Sequence, residues 1–149
     1  MKLIKFASAT LMAAIVGTSA MAHASLEQQE ATTGATYKGV MRIGHGCGEQ
    51  ATLKVRITIP EGVISVKPMP KPGWQLETVT SAYEGSYDYY GKTLTEGVTE
   101  IIWTGSLPDA HFDEFTFRAK LHSTLEADKT MFFPTVQECA DGENAWVEI

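Results

Sequence analysis

Thr52-Leu53-Lys54-Val55-Arg56-Ile57-Thr58-Ile59 alternates polar and apolar residues without a break. Successive side chains of an extended chain point to opposite faces. This stretch therefore reads as a strand with Leu53, Val55, Ile57 and Ile59 toward a core and Lys54 and Arg56 toward water. Phe115, Phe117, Ala119 and Leu121 repeat the pattern against Thr116, Arg118 and Lys120. Shorter β-rich runs cover 37–43, 63–66, 74–80, 87–90, 98–103 and 131–139, and Trp146-Val147-Glu148-Ile149 alternates as one more. Between them stand turn signals: Thr33-Gly34, residues 44–48, Pro60-Glu61-Gly62, Pro72-Gly73, Tyr90-Gly91, Glu96-Gly97 and Asp141-Gly142. No long amphipathic helix and no internal repeat interrupts this series. Many short strands at such spacing predict an all-β, two-sheet sandwich. Lys67-Pro68-Met69-Pro70-Lys71-Pro72 reads as a stiff connecting loop, since its three prolines cannot donate to a strand ladder.

Residues 1–22 read as a secretory signal peptide, leaving a single domain over residues 23–149. Lys2 and Lys5 form a positive start, residues 6–16 a short apolar stretch, and Ala20-Met21-Ala22 a small-x-small cleavage site. Ala22-His23-Ala24 fits the same cleavage rule and would leave Ser25 first. The signal holds two of the twelve basic residues; ten remain against eighteen acidic ones, a net charge of −8 with histidine neutral. That balance argues against nucleic acid as a partner, which calls for a basic stripe. After the signal no apolar run is long enough to span a membrane. Export to the periplasm is the expected destination. In that oxidising compartment the two cysteines, Cys47 and Cys139, are expected to form one disulfide. The rival reading is thiolate ligation of a soft metal.

Cleavage after Ala22 would make His23 the first residue. Its free α-amine and its own Nδ1 could then close one chelate ring on a metal ion. With arms 23–30 and 36–45 and a turn near Thr33-Gly34, a hairpin pairs residues whose numbers sum to about 68. His23 and His45 meet that condition, and opposed residues carry Cβ atoms about 4.5–5.5 Å apart. A slip of one residue would send them to opposite faces. A Cys47–Cys139 bond, with Cα atoms within about 4.4–6.8 Å, would bring the segment ending in Trp146 near the same end, with Glu143 and Glu148 beside it. Two imidazoles and an amine are three nitrogen donors, a set that suits Cu(II), while zinc wants a fourth, tetrahedral ligand. Amine and imidazole must both lose protons to ligate, so affinity should fall with pH.

Blander readings attach to the same residues. The Gly44-His45-Gly46-Cys47-Gly48 run, taken alone, is a flexible turn carrying a polar histidine. His111 and His122 fit no cluster and read as surface residues. Trp74 and Trp103 read as core, Met41 and Met131 as packing, and Met69 as exposed. Glu30 is a reserve ligand, although an extended arm would carry it about 20 Å from His23.

Several motifs carry a family resemblance: His23 at the cleavage site, Gly44-His45-Gly46-Cys47, residues 52–60, Lys67-Pro68-Met69-Pro70-Lys71-Pro72-Gly73-Trp74, Ile102-Trp103-Thr104-Gly105, and Phe132-Phe133-Pro134-Thr135-Val136-Gln137-Glu138-Cys139. Over essentially the whole mature chain the sequence resembles the YcnI-like domain of exported bacterial proteins. That resemblance implies an immunoglobulin-like sandwich and a role in copper homeostasis. It further implies a Cu(II) site braced by the N-terminal histidine, with Trp146 matching the neighbouring indole. One branch of the family uses a glutamate after a Pro-Asn pair. Here Ile43-Gly44-His45-Gly46 has no glutamate, so His45 fills that place. The expected role is a copper carrier or buffer with no catalysis of its own, exchanging copper with other periplasmic chaperones or a membrane importer. Two other functions are weighed against it. A copper-dependent oxidative enzyme acting on polysaccharide would need exposed aromatics around the metal, for which Trp146 and Tyr87-Asp88-Tyr89-Tyr90 are available. A plain interaction module would bind no metal.

Overall fold

The computed structural model describes residues 24–147. His23, the expected signal segment, Glu148 and Ile149 lie outside the described residues. Among the described residues there are nine strands and no helix: β1 (Ser25–Leu26), β2 (Thr36–Ile43), β3 (Thr52–Thr58), β4 (Val63–Pro68), β5 (Gln75–Tyr89), β6 (Lys92–Leu107), β7 (Asp113–Leu121), β8 (Thr135–Cys139) and β9 (Gly142–Trp146). They form two antiparallel sheets, ordered β1-β2-β7-β4 and β5-β6-β3-β8-β9. The expected two-sheet, all-β sandwich is the observed architecture.

The alternating runs supply the core as read. Val55, Ile57, Phe115, Phe117, Ala119 and Leu121 are all buried, joined by Tyr37, Met41, Ile43 and Trp103. Phe115 meets both Trp74 and Trp103 edge to face, with ring centroids 4.9 and 5.4 Å away. Lys54 and Arg56 lie on the outer face, where both reach Glu138.

Leu53 corrects the simple alternation: it is 39% exposed, while Thr52 before it is fully buried. Thr52 pairs with Leu107 but Lys54 pairs with Thr104, so β6 spends one extra residue there. This bulge shifts the faces and turns Thr52 inward. The proline-rich run is also only partly a loop. β4 continues through Lys67, opposite Arg118, to Pro68, opposite Phe117, and the next amide, that of Met69, donates to Thr116 O. Proline is tolerated because β4 is the edge of its sheet and its outer side needs no ladder donor. The separate runs 74–80 and 87–90 merge into the long strand β5, and residues 131–134 precede β8 instead of belonging to it.

The first hairpin differs most. Among the described residues only Ser25 and Leu26 form its outer strand, paired with Arg42 and Met41. Those numbers sum to 67, one less than the 68 that would oppose His23 to His45, so this register does not give that expected pairing. Beyond Glu27 the chain leaves β2 in a polar loop, where Tyr37 donates its hydroxyl to Gln28 O.

Sheet-to-sheet contacts fix which edges lie together. Tyr37 on β2 stacks with Phe133 just before β8, and β4 packs on β6. β2 therefore covers β8, and the edge strands β1 and β9 border the same side of the sandwich.

Candidate metal centre

The turn after β2 is cross-braced by its own peptides. Cys47 and Gln50 exchange amide hydrogen bonds, each 3.1 Å. Gly46 is confined, since a Cβ there would stand 1.8 Å from Gln50 O. Cys47 is bonded to Cys139 with Cα atoms 6.1 Å apart, which fastens the turn to the end of β8. The disulfide removes the alternative in which both thiolates ligate a metal.

His45 is gripped within this turn while its ring stays accessible. Its carbonyl accepts from Gln137 Nε2 at 2.6 Å. The same Gln137 nitrogen is 2.6 Å from Thr52 Oγ1, and Asn144 Nδ2 donates to Gln137 Oε1 at 3.2 Å. His45 Nδ1 is 2.7 Å from Gly46 O. A carbonyl can only accept, so Nδ1 carries the hydrogen, and in the neutral ring Nε2 then carries the lone pair. That is the form in which an imidazole ligates a metal, its other nitrogen held by an acceptor. The side chain is 43% exposed.

Trp146 stands on the same inner face as Asn144, two residues or about 6.6 Å further along β9, and packs against the core with Ala24 and Leu26. It is paired with Thr135, whereas Cys139 is paired with Gly142. The indole is thus a hairpin's length from the disulfide, and it neighbours the His45–Gln137–Asn144 row. Glu143 alternates to the outer face and is opposite Glu138, so it cannot join Trp146 in one wall.

The domain of unknown function DUF1775 is the family whose model matches, over residues 23–149. The chain belongs to this family. No curated protein matches it. Among solved structures it is similar to an uncharacterized protein from Nocardia farcinica, described as having an immunoglobulin-like fold. The two share 21% identity over 85% of each chain, with a TM-score of 0.59. The DUF1775 domain in this chain is accordingly an immunoglobulin-like sandwich.

The remaining expected site residues fall elsewhere in that sandwich. Glu30 lies in the exposed loop after β1 and lines a cavity of about 620 Å³ with Tyr37, Leu125 and Phe133. That cavity is at the Thr36 end of β2, and His45 follows the Ile43 end, eight residues or roughly 26 Å along the strand. Tyr89 and Tyr90 form the tip of the β5–β6 hairpin. The other end of β6, roughly 50 Å along it, leads to the Pro108-Asp109 turn beside Gly46. His111 is exposed on that same turn. His122 is half-buried, its ring edge-on to Tyr87 at 4.9 Å, which corrects its reading as a plain surface residue. Among the described residues no three His, Cys, Asp or Glu side chains converge as a metal cluster, so a site at His45 needs donors from outside them.

Two residues at the centre escaped the sequence reading. Gln137 shares the parity of Cys139, which marks it as inward-facing, and a polar residue there is a signal that could be read. Asp109 accepts from Gly46 N at 2.9 Å and lies 3.8 Å from His45 Nδ1. Only the β2–β7 pairing brings it there, so no local pattern announces it.

Proposed function

We propose that this chain is an exported, periplasmic Cu(II)-binding protein that carries or buffers copper. His23, freed by cleavage after Ala22, supplies its α-amine and Nδ1, and His45 supplies Nε2. Trp146 is the adjacent indole that shields the ion. The observation that carries the reading is proximity, from the pairing of Ser25 with Arg42. This is the outermost described rung, and His45 lies past the end of β2, where the chain no longer follows the ladder that a one-residue shift would turn to the opposite face. One ladder rung stands two residues after His23 and three before His45, or about 7 and 10 Å of extended chain from each. The family model begins at residue 23, in keeping with that cleavage point. The accessible ring of His45 favours exchange, because an incoming ligand can reach the metal. A carrier is preferred to a polysaccharide oxidase because the tyrosine tip stands at the far end of β6 from the turn that holds His45.

Mass spectrometry of the exported protein should find His23 first. Chelator competition should then show Cu(II) binding tighter than micromolar. His23→Ala and His45→Ala should each weaken it more than tenfold, which corresponds to about 1.4 kcal/mol or more. A chain beginning at Ser25 that still binds copper equally well, or an unchanged affinity and Cu(II) spectrum in His45→Ala, defeats the proposal. Robust ascorbate-driven oxidation of polysaccharide by the copper-loaded protein would replace the carrier with an enzyme.

A further inference from the structure

We propose that Asp109 is a positioning residue for His45, acting through the backbone of Gly46. The two peptides around Gly46 offer four polar groups, and each has a partner. His45 O accepts from Gln137, Gly46 N donates to Asp109 Oδ1 at 2.9 Å, Cys47 N donates to Gln50 O, and Gly46 O faces His45 Nδ1 at 2.7 Å. Three of these bonds hold the direction of the fourth. Gly46 O is thereby aimed at the imidazole, which keeps the hydrogen on Nδ1 and the lone pair on Nε2. Of the three anchors, Asp109 is the one from the β6–β7 turn, which the pairing of Ile43 with Asp113 sets at the same end of the β2–β7 ladder, and so it couples the ring to the start of β7.

Direct contact between Asp109 and the ring is a weaker explanation. The separation of 3.8 Å is too long for a hydrogen bond. Both side chains are also more than a third exposed, where solvent screens their attraction. The route through Gly46 uses a bond of ordinary length at each step. A neutral imidazole in water favours hydrogen on Nε2. Without the aimed carbonyl, His45 would therefore lose much of the form whose Nε2 can ligate.

The inference rests on the copper reading for its purpose, but its test does not. Nitrogen-15 spectra of the metal-free protein, recorded where the ring is neutral, report which nitrogen of His45 bears hydrogen. Hydrogen on Nδ1 is expected in the wild type. Asp109→Ala should shift the population toward Nε2–H, and Asp109→Asn, which keeps an oxygen acceptor for Gly46 N, should restore the wild-type spectrum. Hydrogen on Nε2 in the wild type overturns the inference even if no variant folds. Identical spectra for wild type and Asp109→Ala overturn it too, as does an Asp109→Asn spectrum matching that of Asp109→Ala. In chelator competition, Asp109→Ala should weaken Cu(II) about tenfold or more, the usual consequence of removing support behind a ligating histidine, with Asp109→Asn near wild type. Should the wild type bind no copper, the carrier reading fails while the nitrogen spectra still decide the role of Asp109.

Discussion

Gln137 Nε2 donates to the backbone carbonyl of His45 at 2.6 Å, so a buried side chain of one sheet holds the turn that leaves the other. Because Gln137 also meets Thr52 and Asn144, its amide completes three polar groups that water does not reach easily. Gln137→Leu keeps the bulk and strands those groups. The expected loss is about 2–3 kcal/mol of unfolding free energy, since an unpaired buried group costs its full desolvation. Urea unfolding checks it, and Asn144→Ala, which removes only the 3.2 Å bond, should cost less.

Gly46 and Gly44 flank His45 but should respond in opposite ways to the same change. A Cβ on Gly46 meets Gln50 O at 1.8 Å, whereas Gly44 has nothing within 4 Å. Gly46→Ala is expected to cost about 1–3 kcal/mol, as overpacking against rigid backbone does, and, under the proposed function, to weaken copper binding. Gly44→Ala should stay within about 0.5 kcal/mol. Equal thermal midpoints for the two variants would show that the turn is not held as tightly as its hydrogen bonds imply.

The disulfide closes a separation of 92 residues between the histidine turn and the β8–β9 hairpin. Replacing Cys47 and Cys139 together with serine should lower stability by about 2–5 kcal/mol, the usual loss when a native bridge is removed from a small domain. Denaturant unfolding with and without reductant measures it. The double variant should be insensitive to the reductant, and the wild type should approach it when reduced.

A separate prediction concerns high pH. Burial, reinforced by the hydrogen bond to Glu61 and the charges of Glu61 and Glu84, pushes the Tyr87 hydroxyl from 10.0 up to about 12. In the unfolded chain the phenol ionises first, so its contribution is complete below pH 10 and fades as pH climbs toward about 12. Burial alone would raise Glu61. Hydrogen bonds from Tyr87 and from the backbone of Gly85 and Glu84 outweigh it and hold the carboxyl below its ordinary 4.5. Its contribution is therefore present above pH 4.5 and lost as the solution is acidified below that. Thermal midpoints recorded across pH should sag at both limits, and Tyr87→Phe should flatten the alkaline sag and shrink the acid one.

The alternation in 52–59 and 115–121, with the shorter β-rich runs and the turn signals between them, was enough to expect an all-β sandwich, and an expected oxidising compartment led from two cysteines to the one disulfide that is found. A period of two residues is a local property, so most strands could be read from neighbours along the chain. Leu53 was misread because the bulge opposite it belongs to β6, some fifty residues away. The pairing sum of 67 instead of 68, the extension of β4 through Pro68, and the separation of Glu30 from His45 were likewise decided by contacts between distant segments. A one-residue slip leaves every local pattern intact while exchanging the faces. Gln137 was half legible, since its parity with Cys139 points it inward, but that it grips the carbonyl of His45 depends on β2 lying over β8. Asp109 was not legible at all, because a turn residue acquires its meaning only from the strand ladder that delivers it to Gly46.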